Sequence, residues 1–225
     1  MPRIEPTTLR QVKFYPYVIV TLRRKQGSIE MNDDRTSQTL LGQLKQDSSQ
    51  SAWIRFNNIY GPLIFSWLRR RGVPEEVAED VRQEVMMKLI SEIRNFDHNG
   101  RTGAFRSWLK LVMVHRLRTI QRRSYRPAES NSADFSELAD QLADDASEIS
   151  RVWDAEHDKH VIDRLLEIVA SEFQQKSMTA FRRVVMQSED PELVATELGM
   201  TVNAVRIAQS RVLAALRRIG EGFLD

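Results

Sequence analysis

Between residues 53 and 68, Trp53, Phe56, Ile59, Tyr60, Leu63, Ile64, Trp67 and Leu68 recur at i, i+3, i+4 and i+7. Only a helix gathers side chains at that spacing onto one face. The same period returns along most of the chain. Leu40, Leu41 and Leu44 make a short amphipathic turn, and Val77, Val81, Val85, Leu89 and Ile93 form a second seam. Leu109, Val112, Met113, Leu117 and Ile120 form a third. Helical pattern resumes near Trp153, again over 178–185 and 191–198, and in a last helix from Thr201 to about Ile219. No segment alternates with the period of a strand. With 9 Gly and 7 Pro in 225 residues, the chain also lacks the turns that a sandwich or barrel requires. The expected fold class is all-α. Gly61-Pro62 interrupts the first long run and predicts a kink. Gly72-Val73-Pro74-Glu75-Glu76 predicts one helix ending and another beginning.

Net charge is only +2, but its distribution is uneven. Residues 101–126 contain eight Lys/Arg and no acid, whereas residues 127–158 contain ten Asp/Glu against Arg151 alone. Such segregation presents a basic face to a polyanion. Residues 124–150 are rich in Ser, Asn, Asp, Glu and Ala and poor in large apolar side chains, which predicts a flexible acidic linker between two small helical domains. The expected layout is a first domain over 37–125, the linker over 126–152 and a second domain over 153–225. Residues 1–36 read as a disordered or mis-called extension, with translation expected to start at Met31.

Several function classes find no support. Cysteine is absent, so thiol catalysis and Cys-ligated zinc are excluded, and a reducing cytoplasm is the expected location. No run approaches the ~18 apolar residues that would span a bilayer, so no membrane insertion is expected. His157 and His160 lie one turn apart but lack a third ligand, and no metal site is expected. There is no Gly-rich phosphate loop and no nucleophile elbow. We expect neither catalytic residues nor a cofactor.

The strongest local motif is Pro191-Glu-Leu-Val-Ala-Thr-Glu-Leu-Gly-Met-Thr-Val-Asn-Ala-Val205. It fits a helix-turn-helix. Ala195 is the small residue where two helices cross, Gly199 supplies a positive φ at the turn, Thr201 caps the second helix and Val205 packs back. Thr201 stands at the start of that second helix, and Asn203, Ala204, Arg206, Ile207, Ser210 and Arg211 are left outward along it. A helix so equipped enters the major groove of duplex DNA.

The first domain offers an acidic helix and a basic one. Glu75, Glu76, Glu79, Asp80 and Glu84 against Arg82 disfavour DNA and point to a protein surface. Phe105, Trp108 and the basic residues beyond them suit stacking on unpaired bases and tracking phosphates, or, for the two aromatics, plain core. Ala78-Glu-Asp-Val-Arg-Gln-Glu-Val-Met-Met-Lys-Leu89, Phe105-Arg-Ser-Trp-Leu109 leading to Gln121-Arg-Arg123, and the motif ending Leu216-Arg-Arg218 occur in a characteristic order. In that order, over about residues 45–220, the chain resembles the extracytoplasmic-function (ECF) branch of the sigma-70 factors.

The resemblance implies a sigma factor with two sets of partners: core RNA polymerase, through the clamp of its largest subunit and its flap region, and promoter DNA. An anti-sigma protein is a further partner it implies. Asp80, Gln83, Glu84 and Met87 would meet polymerase. Arg101, Phe105, Trp108, Lys110, His115, Arg118, Arg122 and Arg123 would open and read the −10 element. The second helix of the C-terminal motif would read the −35 element, and the linker would thread towards the RNA-exit path. The sequence departs from the family pattern at His115 and Thr119, where Asn and Asp are common, and at Ala208, where a basic residue is common. A free-standing helix-turn-helix regulator is the alternative, but it leaves the paired acidic and basic helices over 75–123 unexplained.

Overall fold

The computed structural model of the protein describes residues 39–46, 50–97, 103–124 and 135–223. The expected N-terminal extension, the Met31 start and Arg101 lie outside the described residues, as does the side chain of Arg123. Among the described residues the fold is all-α, without strands. Four helices make the first half: α1 (Leu40–Gln46), α2 (Gln50–Arg70), α3 (Glu75–Glu92) and α4 (Ala104–Ser124). They are followed by α5 (Ser136–Ala143), α6 (Glu148–Ala170), α7 (Gln175–Phe181), α8 (Pro191–Leu198) and α9 (Val202–Gly220).

Local chemistry accounts for most of the boundaries. α2 ends where Gly72 takes φ +82° and the Val73 amide reaches back 3.1 Å to the Leu68 carbonyl. Pro74 then opens α3, with Glu75 and Glu76 in its positive first turn. Ser147 caps α6, its hydroxyl accepting the Ser150 amide at 2.9 Å. Asp190 caps α8 by accepting the Glu192 and Leu193 amides at 2.7 and 3.3 Å. Thr201 caps α9 by accepting the Ala204 amide at 3.1 Å. Between α7 and α8 the chain widens into a π-helical turn over Arg182–Met186.

The structure departs from the expectations in the linker. Gly61-Pro62, where a kink is expected, lies inside α2, which continues through Pro62 as one helix. Its buried residues on either side of Pro62, from Phe56 to Trp67, belong to one face, and tertiary burial outweighs the one hydrogen bond that proline removes. The stretch read as a flexible linker contains α5 and the first turn of α6. Phe135, Leu138, Ala139 and Leu142 stand at i, i+3, i+4 and i+7, a helical face small enough to be hidden by its acidic neighbours. Ala139 and Leu142 are fully buried.

That helix joins the two halves. One apolar cluster runs without interruption from Leu40 through α2, α3 and α4, then through Leu142, Trp153 and Leu165, to Leu216 and Phe223. α5 packs on α4, α6 packs on α2 and α9, and the end of α9 reaches α1. Trp67 meets Trp153 edge to face, with ring centroids 5.2 Å apart. Phe223, just beyond α9, is inserted among Phe56, Tyr60 and Phe105, with its centroid 4.8 Å from that of Phe105. A second, smaller cluster of Ala180, Val194, Ala195 and Val205 sits under α7, α8 and α9.

Candidate nucleic-acid interface

α3 displays a stripe that begins with Asp80 and Gln83 and ends with Met87 and Ile90, all exposed. Met87 is 61% and Ile90 52% exposed, which gives this end of the stripe an apolar character. Glu84 is drawn off this stripe, towards Arg116 of α4 at 3.5 Å. Beside them Glu79 takes a hydrogen bond from Arg82 Nε at 2.7 Å and another from Gln83 at 3.0 Å. Those donors, Arg82 first, pull its carboxyl down to about 2. Asp80 and Gln83 are thereby the outward polar groups, ahead of an apolar end. Ile90 was not among the expected contact residues, although its seven-residue distance from Gln83 puts it on the same face.

The basic helix α4 is less available than its sequence implies. Phe105 is fully buried and rings against Tyr60 at 5.3 Å and Phe96 at 5.5 Å, so it serves the core. Trp108 is half-buried and stacked on Phe96, with centroids 4.9 Å apart. Lys110 is only 3% exposed; its ammonium donates to Asp145 at 2.5 Å and to Ser150 at 2.7 Å. Arg118 donates to Asp140 of α5 at 2.6 Å. His115 and Arg122 are exposed, as is Leu111 at 50%. Sequence reasoning missed Arg106, which donates to Asp158 at 2.6 Å and lies 3.1 Å from Asp154.

Around Asp158 the groups are buried and coupled. Burial alone would raise its carboxyl pKa, but the His157 hydrogen bond and the Arg106 charge outweigh burial and hold it below the usual range. Burial pushes His157 down, against the pull of Asp158 at 3.0 Å from Nδ1. Burial likewise lowers His160, whose Nε2 donates to the Ile59 carbonyl of α2 at 2.8 Å. His160 thus ties α6 to α2, and His157 holds Asp158 while its ring packs near Tyr60 of α2, with centroids 5.9 Å apart.

At the other end of the molecule, α8 and α9 meet through a turn at Gly199, whose φ is +55°. Lys176 of α7 donates to the Gly199 carbonyl at 3.0 Å, and Arg183 braces α8 by pairing with Glu197 at 2.6 Å. Ala195 and Val205 are buried where the helices cross. Thr201, Asn203, Arg206, Ile207, Ser210 and Arg211 are exposed on one side of α9, and Ala204 is half-buried among them. Arg211 lies over the Phe173 ring at 5.9 Å. Arg206, Ser210 and Arg217 line a shallow groove beside Val185.

A comparison with curated proteins finds no match. Residues 58–126, which run from the middle of α2 to the end of α4, match the family model of sigma-70 region 2. The match supports the sigma-70 family, whose region 2 belongs to transcription-initiation factors rather than enzymes, and with it a role in RNA polymerase binding and promoter melting.

Proposed function

We propose that this protein is a sigma factor of the extracytoplasmic-function type, which carries core RNA polymerase to a promoter and initiates transcription there. The observation that carries this reading is the region 2 match over residues 58–126, which covers both the acidic stripe and the basic helix. Asp80, Gln83, Glu84 and Met87, extended by Ile90, meet the clamp of the largest polymerase subunit. Trp108, His115, Arg118 and Arg122, with Arg101 and Arg123, engage the −10 element as it opens. Phe105 supports them from the core, and Lys110 joins them once its acidic partners withdraw.

In this reading α8 and α9 are a helix-turn-helix that reads the −35 element as duplex. Arg206 and Arg211 suit guanine edges or phosphates, and Ile207, 49% exposed, suits a thymine methyl. The functional units are residues 37–125 and 153–225, joined by 126–152, which threads towards the RNA-exit path and the flap. An anti-sigma protein is a further partner, and the protein works in the cytoplasm. The test is co-elution of the full chain with bacterial core RNA polymerase on a sizing column. A stoichiometric complex is the expected result. A folded chain that fails to bind would instead favour a free-standing DNA-binding regulator.

A further inference from the structure

We infer that the acidic segment from α5 to the middle of α6 is a built-in competitor of nucleic acid, which covers the basic helix α4 until polymerase and promoter displace it. The inference rests on the reading of α4 as the promoter-melting helix and adds how that helix is controlled. Its starting point is the charge segregation in the sequence: the basic run of 101–126 and the acidic run of 127–158 are adjacent in the chain. Folding lays one upon the other. Asp140 takes Arg118 at 2.6 Å, Asp145 takes Lys110 at 2.5 Å, and Asp154 lies 3.1 Å from Arg106. Carboxylates thus occupy the positions on these cations that phosphate oxygens would take.

The cover is built to leave. Asp140 and Asp145 have side chains 68% and 85% exposed, so the acid of each pair faces water, and the Arg118–Asp140 pair, open on both sides, is worth little and weakens with salt. Beneath them the junction between α2 and α6 holds Tyr60 Oη, Trp153 Nε1 and His157 Nε2 buried with no protein hydrogen-bond partner. Such groups lower the stability of the closed arrangement relative to an open one in which water reaches them.

The test uses the full chain and the variant Asp140→Asn/Asp145→Asn/Asp154→Asn, which keeps the side-chain shapes and removes the charges. A control, Asp163→Asn/Glu167→Gln/Glu172→Gln, removes the same charge from the last turns of α6 and the turn beyond it. The probe is a labelled single-stranded DNA of about 20 nucleotides, read by fluorescence anisotropy at low salt. The first variant is expected to bind about tenfold more tightly than the control. In wild-type protein, hydrogen exchange over residues 136–146 is expected to be slow when free and fast in the complex with polymerase and promoter. Equal affinity of variant and control overturns the inference, as does protection of 136–146 that persists in the promoter complex. Either result leaves the sigma reading standing if polymerase still binds. A wild-type chain that never joins polymerase, paired with a variant that still gains DNA affinity, refutes the sigma reading and upholds the cover.

Discussion

Helices α4 and α9 both carry arginines suited to DNA, yet the fold treats them differently. On α4, Lys110 is buried against Asp145 and Ser150, and Arg118 is paired with Asp140. On α9, Arg206 and Arg211 stand exposed, and the acids nearby serve other cations, Glu197 pairing with Arg183 and Glu172 with Arg218. The contrast teaches that a basic helix in a sequence is a capacity, and that its neighbours in space decide whether the capacity is open. In the free protein the surface proposed to read duplex is exposed, while the surface proposed to open the strands is largely occupied.

Phe223 ties the end of α9 to the aromatic cluster around Phe105, and its loss has the largest expected effect on both helices. Phe223→Ala should destabilise the protein by about 3–5 kcal/mol, because a fully buried ring is lost and its cavity is lined by other rings. The midpoint of denaturant unfolding measures this. Under native conditions the same variant should raise the affinity of the free protein for single-stranded DNA. A small loss of stability with no gain in affinity would show that the tail does not hold the halves together.

Arg206→Ala acts on α9 alone. It should cost about 1–3 kcal/mol in binding of the polymerase complex to a promoter with an intact upstream element. Binding of single-stranded DNA by the free protein should not change. Footprinting and anisotropy on one preparation check both statements, and a loss in both assays would merge the two surfaces into one.

Acid gives the most gradual effect. His157 and His160 have pKa values lowered by burial from the ordinary 6.5, so the folded protein takes up these protons at lower pH than the unfolded chain. Their contribution is complete above about pH 6.5 and is lost as pH falls from there towards the folded values. Melting temperature followed from pH 7.5 to 5.5 should therefore decline over this interval, and His157→Gln should flatten the decline. Asp158, held low by its partners, adds no loss until the pH reaches the ordinary carboxylate range.

Much of the architecture is legible in short stretches of sequence. The seams of α2, α3 and α4 follow from apolar spacing, and Gly72, Gly199 and the Thr201 cap mark ends that the structure has. The roles of Ala195 and Val205 follow from the same local logic: a small residue where helices cross, and an apolar one turned back on them. The exposed positions of α9 were readable because a helix with one buried face leaves the rest outward. That they read DNA does not follow from packing and belongs to the proposal.

What stayed hidden depended on contacts distant in sequence. Phe135, Leu138, Ala139 and Leu142 form a face too small to stand out from its acidic surroundings, and they become a helix because α4 offers a surface on which to bury it. Phe105 was open to two readings, base-stacking or core, and Phe223, far along the chain, helps decide for the core. Lys110 had the composition of a phosphate contact until Asp145 and Ser150 were brought to it from beyond position 140. Outside the α5 segment, local spacing in the sequence was enough to determine the long helices and which face of each is apolar, since these follow from interactions a few residues apart. Only the tertiary structure decided which charges meet, because pairing across 22 to 52 positions is set by how the helices pack.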